Sequence, residues 1–424
     1  MLLALLCAAA LLAFLWWQLM ESTRVLNENT DKNLTGAVLP GGSISLTTPI
    51  TPTGDEALTH LRQGDLFALR GDWANAQNEY EASVDAGGDI PALRKLAQAQ
   101  LQRRDVRGVE ATVRRLRAAG AKPADLLLLE SVVDLRTSEI ERARELLNNA
   151  EDSPQKHYGL ALLHIITGNH NEAKQELAFV VNGWEPVLRS NARTILAAYD
   201  EFALFPESPD IHLVTLVSRA LAQVLECELA LPLLTQVIQE RSDYRDAWIV
   251  QGYCELTTER PEKALESLEQ AYTIDPQKPE IQYFLGRAYA ASGDEQNAIT
   301  FYEYALANGF TPEAEIRQEL ARAALMQGNS QLALEQYAAL VQEEDATLET
   351  FEGLIETSLA IGEHERAELA AREAVKRWPE HGRAYELLGK TLMALDQNDE
   401  ARSMLQRALE LNPFLTESKD LLAK

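Results

Sequence analysis

The chain has 424 residues, 46% apolar and 25% charged, enough to bury a large core and too polar for a protein that crosses a membrane many times. Its 65 acidic residues against 39 basic ones give a formal net charge of −26, which argues against binding to nucleic-acid phosphates or anionic lipid surfaces, since both need a basic face. Three cysteines are too few for a disulfide framework.

The first 20 residues, MLLALLCAAALLAFLWWQLM, carry no charge and are long enough for a helix across about 30 Å of hydrocarbon, with Trp16 and Trp17 at an interface. We read residues 1–20 as an uncleaved transmembrane or signal-anchor helix. The alternative is a cleaved signal peptide, but no small-x-small site follows the tryptophans. Cys7 lacks the small preceding residue and basic leader of a lipoprotein site. Residues 21–56 include GGSISLTTPITPTG, a flexible Thr/Ser/Pro/Gly-rich linker that cannot bury a core.

From residue 57 the chain is periodic. LGRAYAASGDEQNAI at 285–299 aligns with QGDLFALRGDWANAQ at 63, QGYCELTTERPEKAL at 251, LARAALMQGNSQLAL at 320 and LGKTLMALDQNDEAR at 388. A small residue recurs as Gly64, Ala97, Ser131, Ala161, Ser218, Gly252, Gly286, Ala321 and Gly389, with Ile355 the exception. Twelve residues later an alanine recurs as Ala76, Ala143, Ala173, Ala230, Ala264, Ala298, Ala333, Ala367 and Ala401, with Val109 the exception. From Ala230 onward the steps between these alanines are 34, 34, 35, 34 and 34 residues. A phosphate- or ligand-cradling glycine loop occurs once in a chain, whereas this pattern suits helical hairpins that approach closely where side chains are small. The spacing predicts that positions such as Gly286 and Ala298 face each other. It also predicts that Gly71-Asp72, Gly168-Asn169, Gly293-Asp294 and Gly328-Asn329 stop one helix and cap the next. Pro276, Pro379 and Pro413 fall after second helices, where proline ends a helix.

The register is weaker over 90–183, where Arg104 stands in place of a turn glycine. It breaks between Ala173 and Ala230, which lie 57 residues apart. The extra segment, 184–210, reads as an irregular helix and loop, either a degenerate repeat or a discontinuity between an N-terminal arm (57–183) and a C-terminal arm (211–413). Residues 414–424 suit a capping helix over the last hairpin. Cys227 and Cys254 read as two buried thiols, a disulfide being the alternative. His157, His164 and His170 follow helical spacing with no carboxylate or cysteine at ligand spacing, so no metal or cofactor site is expected. Neither HExxH, GxxxxGKS/T, GxSxG nor CxxC occurs, and the chain is not expected to be an enzyme.

From about residue 57 to the end the chain resembles the tetratricopeptide repeat family. The resemblance is strongest at Trp248, Gly252, Ala264, Ala271 and Pro276, and then at Leu285, Gly286, Tyr289, Ala298, Tyr302 and Ala305. It implies an all-α, right-handed superhelical solenoid of about ten helix-turn-helix repeats, and a protein-protein interaction scaffold that receives a peptide or partner protein on the concave face lined by first helices. The residue after each small slot then faces the groove: Arg219, Tyr253, Arg287, Arg322, Glu356 and Lys390, with Tyr283 and Gln318 one turn earlier. This row forms a candidate basic and aromatic stripe for acidic groups of a partner, or its cations pair with neighbours such as Glu315, Glu319 and Glu352. The family's chaperone-tail clamp is not recognisable. With the anchor, the expectation is a single-pass protein of a bacterial cytoplasmic membrane, its repeats on the extracytoplasmic side. The alternative is a non-catalytic regulatory or assembly subunit of an envelope or pilus complex.

Overall fold

The computed structural model describes residues 56–69, 72–344, 346–413 and 415–423; the apolar segment 1–20, the expected linker through residue 55 and Gly71, expected in a turn, lie outside them. Among the described residues every regular element is an α-helix, and none is long and apolar enough to cross a membrane. The chain divides into two compact units, with described residues 56–308 in one and 309–423 in the other.

The first unit contains seven hairpins. They pair Glu56–Leu69 with Trp73–Asp85, Ile90–Gln102 with Val106–Ala118, Pro123–Arg136 with Ile140–Asn148, Pro154–Ile166 with His170–Val181, Asp210–Gln223 with Cys227–Glu240, Arg245–Thr257 with Pro261–Ile274, and Pro279–Ala291 with Glu295–Ala307. A single helix, Pro186–Ala203, stands between the fourth and fifth. One hydrophobic cluster runs from Leu127 to Cys254 and takes in Leu188, Ala192, Ile195, Ala198 and Tyr199 of that helix, so the core continues through the stretch where the sequence loses phase. The second unit holds three hairpins, Glu313–Gln327 with Ser330–Leu340, Leu348–Ala360 with His364–Arg377, and Gly382–Ala394 with Asn398–Leu411, followed by the helix Thr416–Leu422. Each unit is therefore an all-α array of repeated hairpins.

Local chemistry explains the hairpins. Gly293 adopts φ +78°, which a glycine tolerates without strain, and the Asp294 carboxylate then accepts from the Asn297 N–H at 3.1 Å, an N-cap. Gly328 and Asn329 repeat the device. Asn169 departs from it, because its side chain donates to the Thr167 hydroxyl instead of capping the next helix.

Every alanine of the second recurring slot is fully buried. Across the hairpin the small residue also makes room for a larger one. A Cβ placed on Gly286 would lie 2.5 Å from the Tyr302 ring, and Cβ atoms on Gly64, Gly252 and Gly389 would meet Tyr80, Leu268 and Leu405. The side chain nearest the glycine is thus that of the large residue sixteen positions later, and at Gly389 the backbone oxygen of Ala401, twelve positions later, would also lie 3.3 Å from the added Cβ. Small size at Gly286 makes room for an aromatic ring, and Ala298 lets the second helix settle in the same core.

Candidate functional site

The row that follows the small slots is divided between the units. In 56–308, Arg219 is half-buried and ion-paired to Glu201 of Pro186–Ala203. Tyr253 packs edge-on against Phe284 with ring centroids 5.5 Å apart, and burial raises its hydroxyl pKa. Tyr283 is buried, and the Arg287 guanidinium lies over its ring at 5.8 Å, within cation–π range. Tyr253, Phe284, Tyr283 and Arg287 thus form one aromatic and cationic patch on two successive first helices, Arg245–Thr257 and Pro279–Ala291. Arg219 lies on an earlier first helix and is engaged elsewhere.

In 309–423, Arg322 is exposed and reaches Glu319 one turn away at 3.1 Å, while Gln318, one turn before Arg322, is half-buried. Glu356 and Lys390 are brought together across successive first helices at 3.3 Å. Lys390 also binds Glu417 of the last helix at 2.8 Å. The centre of this cluster is Arg383, which bonds Glu352 and Glu386 and reaches Glu417 at 3.0 Å. Glu386 is 1% exposed and accepts from the Ser418 backbone N–H and hydroxyl at 2.8 and 2.7 Å. Burial opposes the Lys390 charge, but hydrogen bonds to Glu417 and Glu356 outweigh it and raise the pKa. Lys390 and Arg383 in turn hold the Glu417 carboxyl below its ordinary value. Four carboxylates surround two cations here, so this part of the row is acidic on balance. Arg383 was not singled out from sequence. It stands seven residues before Lys390, two turns along the same helix face, and that spacing was the available signal.

Elsewhere in 56–308, long-range polar contacts join distant turns. Arg136 donates to Glu226 at 2.9 Å, to the Leu101 carbonyl at 3.0 Å and to the Leu225 carbonyl at 3.1 Å, while Arg104 pairs with Glu228 at 2.9 Å. Arg104 takes φ +59°, the left-handed conformation that costs about 1–2 kcal/mol for a side chain with a Cβ, and it uses that side chain to reach Glu228. Cys227 and Cys254 are free, buried thiols, as read from sequence. His157 has two carboxylate partners. One ring nitrogen meets Asp152 at 2.7 Å, the other meets Glu176, and the ring packs on Phe179. Glu176 comes from the other helix of the hairpin, nineteen residues away, beyond the reach of local spacing.

Family models described as tetratricopeptide repeats match residues 218–279 and 356–415 in one case and 255–309 in another. Among solved structures, the chain is similar to YrrB, described as a TPR protein with an unusual peptide-binding site, at 18% identity over 45% of this chain and 98% of that one, TM-score 0.41. It is also similar to PilW, described as a widely conserved type IV pilus biogenesis factor, at 17% identity over 51% of this chain and 99% of that one, TM-score 0.41. A tetratricopeptide repeat protein from Parabacteroides merdae aligns at 16% identity over 64% of this chain and 97% of that one, TM-score 0.36. A search of curated proteins found no match. Residues 218–309 and 356–415 match tetratricopeptide repeat models, and most of the other described residues form further helical hairpins.

Proposed function

We propose that this protein is a non-catalytic scaffold that captures a peptide or partner protein on the first-helix faces of its repeats, tethered to a membrane by residues 1–20. The observation that carries the reading is the repeat itself: hairpins matched by tetratricopeptide models occupy 218–309 and 356–415, and nearly all other described residues belong to further hairpins. Repeat arrays of this kind present extended faces for partners. The descriptions of YrrB as peptide-binding and of PilW as a pilus biogenesis factor accord with it.

Within that surface the Tyr253, Phe284, Tyr283 and Arg287 patch is the best-formed anchor, since rigid aromatics beside an arginine supply binding energy at low entropic cost. An acidic group on the partner suits Arg287. At Lys390 and Arg383 a partner carboxylate would have to displace Glu417, so the acidic-partner reading applies to the first unit. The localisation is proposed as the extracytoplasmic face of a bacterial cytoplasmic membrane, on the uncharged Thr- and Pro-rich linker.

Site-specific photocrosslinking in intact membranes tests the scaffold reading. A photoreactive residue at Arg287 should capture a defined protein, while one at Leu369, 73% exposed on the second helix His364–Arg377, should not. Equal capture from both positions, or none from either, would remove the first-helix face as the binding surface.

A further inference from the structure

A groove of about 730 Å³ lies along the third hairpin of the first unit, floored by Leu127 and Leu146 and containing Glu130 and Asp134. It is separate from the proposed partner row, for the residue after this hairpin's small slot, Val132, does not line it. Asp134 is only 2% exposed. One of its oxygens, Oδ2, is buried without a hydrogen-bond partner, and the other meets the Arg142 Nε at 3.4 Å, from a side chain that is 68% exposed. Glu130 stands one helical turn before Asp134, bonded at the rim by Arg117; Lys122 also lines the groove.

Two other hairpins show one way in which this fold satisfies a polar residue at the Asp134 position, three residues after the small slot. Gln100 accepts from the Thr112 hydroxyl at 2.8 Å, and Glu255 from the Ser267 hydroxyl at 2.6 Å, in each case from twelve residues later on the second helix. The residue twelve after Asp134 is Leu146, which has no donor. A buried carboxylate oxygen left unbonded costs free energy, and the residue that carries it lines a groove.

We propose that this groove binds the cationic head of an aliphatic amine or guanidine, with Asp134 and Glu130 receiving the charge and Leu127 and Leu146 packing the stem. The source is either a lysine or arginine side chain of a partner or a free diamine. Burial raises the Asp134 carboxyl above its ordinary range, with Arg142 opposing and Glu130 adding to the rise. Asp134→Asn keeps shape and removes charge, and Asp125→Asn removes the same charge from the same helix outside the groove.

Calorimetry on the full chain with agmatine and with the blocked tripeptide acetyl-Gly-Arg-Gly-amide distinguishes the sources. At least one probe should bind wild type and the Asp125→Asn protein alike and bind Asp134→Asn at least tenfold more weakly. Preference for the tripeptide identifies a side chain of a partner, and preference for agmatine a free amine. The proposal is overturned if neither probe binds wild type, or if Asp134→Asn and wild type bind alike. Circular dichroism should show the same helicity for all three proteins, and a loss of binding accompanied by lost helicity in Asp134→Asn would count against it.

Discussion

The hairpins Pro279–Ala291/Glu295–Ala307 and Pro123–Arg136/Ile140–Asn148 share a fold and differ in what fills it. In the first, Gly286 admits the Tyr302 ring, and the flanking Leu285 and Tyr289 join a hydrophobic cluster. In the second, Ser131 occupies the glycine position, and the residues matching Leu285 and Tyr289 are Glu130 and Asp134. Its second helix has only nine residues, and to its apolar contacts it adds a polar anchorage through Arg136 at the helix end, bonded to Leu101, Leu225 and Glu226. Apolar residues at the same two places seal the hairpin, and carboxylates leave a groove. The repeat thus fixes a frame, and departures from it mark where other chemistry sits.

Breaking the polar anchorage should have the largest effect. Arg136→Ala leaves Glu226 buried without its cation and should cost about 3–5 kcal/mol, read as a drop in the denaturant midpoint; a loss under about 1 kcal/mol would show that the second hairpin is held by apolar packing after all. In the apolar hairpin, Ala298→Leu adds bulk at a fully buried position and should cost about 1–3 kcal/mol, whereas an unchanged melting curve would reject the register. The smallest effect is a pH dependence at Asp134. Its folded pKa is raised above the unfolded one, so the folded state holds the proton more tightly and stability falls as pH rises through that interval. Asp134→Asn should therefore melt above wild type at neutral pH, with the gap closing as pH falls through the carboxylate range; a gap that widens on acidification contradicts the assignment.

The periodic small residues, turn glycines and alanine slot were legible because they repeat and each has a local cause. The ring opposite Gly286 was not, since spacing marks which residues are small without saying which residue of the facing helix fills the space. Arg136 and Glu226, ninety positions apart, meet only through the stacking of intervening hairpins. Arg322 pairs with Glu319, a neighbour the sequence already offered, whereas Lys390 finds Glu417 on a later helix. Asp134 left a trace in sequence, as the twelve-residue spacing to a hydroxyl seen from Gln100 and Glu255 is missing there. That trace gained meaning only once the hydrogen bonds of the other two hairpins were in view.

The central claim is that the repeat's small residues build the frame while their neighbours on the first helix meet the partner, and Gly286 and Arg287 put both roles side by side. Melting temperature and affinity for the protein crosslinked at position 287 should be measured for Gly286→Ala and Arg287→Ala. The expected result is opposite signatures: Gly286→Ala drives a Cβ to 2.5 Å from the Tyr302 ring and lowers stability by about 1–3 kcal/mol, while Arg287→Ala leaves the melt unchanged and weakens binding at least tenfold. Equal melting losses with unchanged affinity for Arg287→Ala would contradict the account.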